Sequence, residues 1–247
     1  MLSSYFRQER ATNPNTLTIH AGDAYGATPP LSNFFDEVPG VLASRMMGFD
    51  VDTFGNHNFD RGVGHLQQMI DLVNAPEGAQ PGKPYKYVAA NLVNRDSNLT
   101  GASDWHIFDV GGVKVGVVGL LNEEAPSLVF PGNFGTIEVT DSVRAANKAR
   151  AEMRKAGAQV LVAITHKGVR GFDQSGRPYG ELIDFADAVG GFDLIFGDHT
   201  NQQYEGVHGR ALVSMNISKG LRYSRTVLRW TRDTGAFWIG RWPSSTR

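Results

Sequence analysis

Five short segments of this sequence carry side chains that bind metals or move protons: Gly22-Asp23, Gly55-Asn56-His57, Ala90-Asn91, Thr165-His166 and Gly197-Asp198-His199. Each follows a run of β-branched or apolar residues. A carboxylate, amide oxygens and imidazole nitrogens make a borderline-hard ligand set, suited to Zn, Mn, Fe or Mg. Taken singly, each has a plain structural reading. A histidine after a strand is ordinarily a hydrogen-bonded loop residue, and Asp23 could serve as a turn residue or helix cap. Their recurrence is what points to one site. In open α/β sheets, ligands bind in the crevice at the carboxyl ends of strands, where distant parts of a chain converge.

The elements that must position these residues alternate for most of the length. Thr16–Ile19 reads as a strand breaking at Ala21-Gly22-Asp23. A helical stretch follows over 31–47, interrupted at Pro39-Gly40, and then a short strand over Val51–Phe54. Leu66, Met69, Ile70 and Val73 lie one helical turn apart and predict an amphipathic helix. Tyr85–Ala90 and Val113–Leu120 read as strands. Asp141 caps a helix over Val143–Ala156 that closes at Gly157. Val160–Ile164 and Leu194–Phe196 are further strands, separated by a helix bearing Leu182, Phe185, Ala186 and Val189. Ala211–Ile217, Tyr223–Trp230 and Phe237–Trp242 then read as antiparallel strands, the last two joined by a turn at Asp233-Thr234-Gly235. The Pro/Gly-rich stretch 75–84 reads as a loop, since the alternation resumes after it. The expectation is one α/β domain over residues 1–247.

Composition narrows the function classes. With 41% hydrophobic and 20% charged residues, a packed core is feasible. A net charge of −1, from 24 Lys+Arg against 25 Asp+Glu, disfavours a nucleic-acid clamp. The absence of cysteine excludes disulfide scaffolds, thiolate metal sites and cysteine nucleophiles. No apolar run reaches the ~18 residues of a membrane span. The first ten residues lack the apolar core of a signal peptide and read as a short helix with Leu2, Tyr5 and Phe6 on one face.

The ordered blocks Gly22-Asp23, Gly55-Asn56-His57-Asn58-Phe59-Asp60, Ala90-Asn91, Thr165-His166-Lys167-Gly168 and Gly197-Asp198-His199 resemble the calcineurin-like metallophosphatases. More narrowly, they are similar to the N-terminal catalytic domain of secreted 5'-nucleotidases and 2',3'-cyclic-nucleotide phosphodiesterases. Gly-Asn-His-x-Phe-Asp is the most specific block, and the resemblance spans roughly Met1 to Tyr223. It implies a four-layer α/β/β/α metallophosphatase sandwich and a site for two divalent cations, whose identity among Zn, Mn, Mg, Fe or Ca is left open. By this resemblance Asp23 bridges the two ions, and Asn56, His166 and His199 complete the shell of the second. His57 acts as general acid over the phosphate and Asp60 orients it, while Asn56 and Asn91 contact substrate. Two cations about 3.5–4 Å apart would clamp the phosphoryl oxygens and acidify a bridging water. The resulting hydroxide attacks phosphorus in line, and an imidazolium protonates the leaving alkoxide. The implied substrate is a nucleotide rather than a nucleic-acid polymer or a membrane, and the implied location is exported: periplasmic, cell-surface or secreted.

The departures carry their own expectations. Family members open with a strand ending in Asp-x-His, which supplies two ligands of the first metal. No such pair precedes Asp23, and His20 lies on the strand feeding Asp23, a poor substitute. The family's second histidine, two residues after His199, is here Asn201, a weaker ligand. The reading is of a domain truncated at its first strand and lacking the C-terminal nucleoside-binding domain. It has one intact cation site and one deficient one. Phosphomonoester hydrolysis, cyclic-nucleotide or other diester hydrolysis, and metal binding with little catalysis all stay open. Elsewhere the structural readings prevail. Tyr25, Phe34 and Phe35 could line a substrate cleft, but packing in the core or a loop is the expected role. Arg144, Lys148, Arg150, Arg154 and Lys155 form a solvated stripe. His65, His106 and His208 are surface or hydrogen-bonded residues, and Trp230, Trp238 and Trp242 serve strand packing. Glu123-Glu124, after the strand Val113–Leu120, could add an acidic group near the crevice, though a structural role is the expected one.

Overall fold

The computed structural model describes residues 2–231 and 237–241. Two sheets face each other. A three-stranded parallel sheet is built from Val51–Asp52, Lys86–Val88 and Ala102–Ser103 in that order. A six-stranded sheet has the order Tyr204–His208, Ala211–Met215, Leu194–Gly197, Val160–Thr165, Val113–Leu120, Trp105–Val110. Its four inner strands run parallel, and each edge strand is antiparallel to its neighbour. The hairpin of Thr226–Trp230 with Phe237–Arg241 forms a separate ribbon. The turn expected at Asp233-Thr234-Gly235 and the residue Trp242 lie outside the described residues, as does the side chain of Trp238.

Three apolar clusters define the layers. Between the two sheets lie Val51, Val88, Val115, Val117, Val160, Val162, Ile164, Leu194 and Leu212. Leu66, Met69, Ile70 and Val73 of the helix Gly62–Asn74 pack outside the smaller sheet, with Val41 and Phe6 from two other helices. Ala146, Ala149 and Met153 of Ser142–Lys155 pack outside the larger sheet beside Leu182, Phe185 and Ala186 of Glu181–Ala188. The result is an α/β/β/α sandwich. Valine dominates the middle layer because both of its sides are pleated surfaces, which β-branched side chains fit well.

Several elements depart from the sequence reading. Thr16–Ile19 makes only one bridge, Ile19 to Val51. The helical stretch over 31–47 breaks between Asn33 and Val38, not at Pro39-Gly40. Asp36 and Glu37 adopt left-handed backbone (φ 53° and 64°), which stops one helix. Pro39 falls in the first turn of the next, where its missing N–H has no helical partner to lose. Ala211–Met215 pairs in parallel with Leu194–Gly197, and its antiparallel partner is Tyr204–His208, a strand that its alternating polar residues concealed. Asp141 caps as expected, its carboxylate accepting the Arg144 N–H at 2.6 Å.

Candidate metal and phosphate site

The site forms where strands from both sheets end. Asp23 sits in a left-handed conformation (φ 55°) between the Gly22 turn and the Asn56–Phe59 turn. Its Oδ1 accepts the backbone N–H of His57 at 3.0 Å. Its backbone N–H shares the Asn58 side-chain oxygen with the N–H of Gly55, at 3.2 and 2.7 Å. Asn58, 1% exposed, therefore locks the two turns together. Gly55 is required by this closeness: a Cβ there would collide with Asp23 Oδ1 and lie 2.7 Å from His166 Cε1.

His166 follows the strand Val160–Thr165 and is 1% exposed. Its Nδ1 bonds the Ala21 carbonyl at 3.0 Å, which assigns that nitrogen the proton of a neutral ring and turns Nε2 toward Asp23. Nε2 stands 2.9 Å from Asp23 Oδ2 but out of hydrogen-bond alignment. Burial opposes charge on both groups. Their mutual attraction outweighs it, leaving the Asp23 carboxyl below and the His166 imidazole above their ordinary values. His199 lies with its ring centre 5.0 Å from that of His166. Burial, followed by the neighbouring His166 charge, pushes His199 down. Asn56 is 3% exposed and its side-chain oxygen has no partner.

His57 has a different environment. It is half-exposed, and its Nδ1 lies 2.9 Å from Asp60 Oδ2. That hydrogen bond is the largest influence on the imidazole and raises its pKa despite partial burial. The loop at Gly26 wraps this turn so closely that a Cβ there would collide with the His57 carbonyl, and its φ of +90° suits only glycine.

Two further expected participants differ from each other in surroundings. Asn91 is a correction: it is fully buried and offers substrate nothing. Its amide donates to the carbonyls of Leu121 and Thr140 at 2.8 and 3.0 Å, and its oxygen accepts the Leu121 N–H at 2.9 Å. It clasps backbone segments, as a polar group with no access to water must. Asn201 is exposed and left-handed (φ 58°), two residues beyond His199.

Other residues join the site unforeseen. His20 Nδ1 pairs with Asp52 Oδ1 at 3.1 Å. Asp52 is fully buried and the same oxygen accepts the N–H groups of Gly22 and Thr53 at 2.9 and 2.8 Å. Burial opposes the His20 charge, but the Asp52 carboxylate outweighs it and the pKa rises to about 9. An aspartate inside the expected strand Val51–Phe54 was the available signal. Glu124 lies 3.6 Å from His199 Nε2, the crevice role that the sequence left open for the Glu123-Glu124 pair. Glu123 pairs with Lys167 instead. Phe34 and Phe35, expected to pack, are 80% and 62% exposed, whereas Tyr25 is buried as expected.

No family model matches the chain. Over 216 residues it is 31% identical to Endonuclease YhcR of Bacillus subtilis, covering 85% of this chain and 18% of that protein. Over 196 residues it is 30% identical to the snake venom 5'-nucleotidase of Gloydius brevicauda, covering 79% and 30%. The solved structure of the calcineurin-like phosphoesterase YfkN from Bacillus subtilis superposes with a TM-score of 0.73 at 21% identity, covering 99% of this chain and 80% of that one. The chain belongs to the calcineurin-like metallophosphoesterases. It spans only 18% to 30% of the length of the two curated relatives.

A metallophosphoesterase implies divalent cations. The donor set here fits one: Asp23 and His166 oppose each other without a hydrogen bond, and the buried Asn56 oxygen lacks a partner. Among the described residues no three His, Asp or Glu side chains already stand at the spacing of a closed site. The fourth candidate, His199, belongs to a left-handed loop residue (φ 81°) rather than to a strand.

Proposed function

We propose that this domain hydrolyses phosphate monoesters of nucleotides with a divalent cation held by Asp23, Asn56, His166 and His199. The observation that carries this reading is the His57–Asp60 pair at 2.9 Å, placed one backbone hydrogen bond from Asp23. An acid has thereby been set beside a metal-ligand cluster. When bound, the cation supplies a positive field for phosphoryl oxygens and acidifies a water. The chain's own residues do the rest. The Asp60 carboxylate holds the His57 proton on Nδ1 and keeps the ring charged, so Nε2 is free to protonate a departing alkoxide. Ala21 and Asp23 fix the His166 ring, and Asn58 fixes the Asp23 backbone. Asn201 adds at most a weak ligand for a second cation.

The domain division over 1–247 and an exported location belong to the same proposal, the latter supported by the likeness to a venom protein. Likeness to an endonuclease favours a second reading, diester hydrolysis at the same residues. The net charge of −1 favours a small substrate over a polymer. Phosphate release from AMP against nitrophenolate release from a nitrophenyl phosphodiester, with manganese added, decides between them. His57→Asn is expected to lower AMP turnover by about 10²–10⁴ while manganese still binds. A His57→Asn protein that turns AMP over at the parent rate sinks the mechanism.

A further inference from the structure

His199 sits on a loop, so its ring needs an orienting partner of its own. The loop is anchored on the segment that follows His166. The Asp198 N–H donates to the Lys167 carbonyl at 3.0 Å, and the Thr200 hydroxyl donates to the Val169 carbonyl at 2.5 Å. These bonds fix the backbone on both sides of His199 but do not orient its ring. The ring faces Glu124, whose Oε1 stands 3.6 Å from Nε2, just beyond hydrogen-bond length.

The neighbours of Glu124 aim it there. It precedes the turn Ala125–Ser127, and its carbonyl accepts the N–H and the hydroxyl of Ser127 at 2.8 and 2.7 Å. Glu123 is committed elsewhere: Oε1 accepts the Ser142 N–H at 2.9 Å and Oε2 meets the buried Lys167 ammonium. The second oxygen of Glu124, Oε2, lies 3.5 Å from the Arg170 guanidinium, which also reaches Glu181 Oε1 at 3.3 Å. A carboxylate held by a guanidinium on one oxygen is kept from swinging away, and its other oxygen is left for the imidazole.

The other two imidazoles of the site have the same construction. His166 Nδ1 faces the Ala21 carbonyl, and His57 Nδ1 faces Asp60. In each ring an acceptor at one nitrogen sets the tautomer and leaves the other nitrogen for its task. We propose that Glu124 is the positioning residue for His199, keeping the ring proton on Nε2 and leaving Nδ1 unprotonated for a divalent cation. This rests on the cation site proposed above and adds to it a residue that acts only through His199.

The test starts from chelator-treated protein with nitrogen-15 in its histidines. Ring-nitrogen correlation spectra at pH 8, with His199 assigned by its loss in His199→Gln, are expected to show its proton on Nε2. Glu124→Ala is expected to abolish that preference and to weaken manganese binding by about 10–100-fold in calorimetry. Glu124→Gln, whose amide oxygen still accepts the Nε2 proton, is expected to keep the tautomer and most of the affinity. Thermal unfolding of both metal-free variants is expected to match the parent, since the Glu124 side chain is 36% exposed and exposed ion pairs contribute little. A His199 proton on Nδ1 in the parent, or parental manganese affinity in Glu124→Ala, overturns the proposal. So does a Glu124→Gln protein as weak as Glu124→Ala, which makes Glu124 a direct ligand. Affinity lost only together with metal-free stability also overturns it, since that is a merely structural role. If manganese does not bind the parent, the cation reading fails by itself, and the tautomer in parent against Glu124→Ala still decides what Glu124 does.

Discussion

His57 and Asp60 sit three residues apart on a turn, and most of the proposed acid's behaviour follows from that spacing. The carboxylate raises the imidazole pKa, so His57 stays a proton donor to higher pH than a free histidine. Activity toward a natural nucleotide should fall as pH rises through that value. Asp60→Asn should shift this alkaline limb to lower pH and cut kcat/KM at neutral pH by on the order of tenfold or more. A pH–rate profile in which the limb does not move counts against the assignment. His20 makes a second pH prediction, on stability. Its pKa rises from 6.5 unfolded to about 9 folded. Its contribution is therefore complete below pH 6.5 and is lost as pH climbs through 9. In chelator-treated protein, unfolding in urea should show His20→Gln destabilised relative to the parent at pH 6, with the gap closing by pH 10.

At the scale of elements, the site depends on turns packed to contact. Gly55 has an ordinary φ of −109°, so alanine there is conformationally acceptable and only the crowding against Asp23 and His166 matters. Gly55→Ala should cost about 1–3 kcal/mol and weaken manganese binding at least tenfold by displacing the Asp23 carboxylate. Calorimetric titration alongside thermal unfolding separates the two effects. Far from the site, Arg45 is fully buried, and its guanidinium donates to the carbonyls of Leu72, Val73, Ala75, Pro81 and Gly82. It closes the helix Gly62–Asn74 and holds the following loop, which satisfies carbonyls that no helical N–H can reach. Arg45→Met keeps the volume and removes the donors, and should lower stability by roughly 3–5 kcal/mol in chemical denaturation.

For the whole molecule, the cation is expected to act as a structural clamp as well as a cofactor. Asp23, Asn56, His166 and His199 come from segments far apart in the sequence, and ligation would join the ends of both sheets. Manganese at 100 times its dissociation constant should stabilise the fold by about 2.7 kcal/mol, read as a rise in melting temperature. One equivalent should bind tightly and a second weakly, because the resemblance puts an amide, Asn201, where the family has a histidine. Asp23→Asn should abolish the thermal shift. Two tight equivalents would contradict the asymmetry.

Much of this architecture was open to reading in one dimension. Helix Ser142–Lys155 announces itself through Asp141 and its apolar spacing, and the strand Val113–Leu120 matches its expected bounds, since local periodicity and capping need only neighbours in sequence. Asp23, Asn56, His57, Asp60, His166 and His199 stand out in the sequence because each follows an expected strand within a few residues or, for Asp60, one turn later. What the sequence could not decide was which way a side chain points once two sheets face each other. Asn91 follows an expected strand as Asn56 does, yet packing of the Leu121 and Thr140 backbones around it leaves its amide as a clasp. Phe34 and Phe35 look like core residues by composition, yet the loop closed on the buried Glu37 carboxylate by Thr28 and Ser32 leaves them in solvent. The His20–Asp52 pair joins positions 32 residues apart. Burial and pairing of this kind depend on contacts between segments distant in sequence, so they exist only after the sandwich has closed.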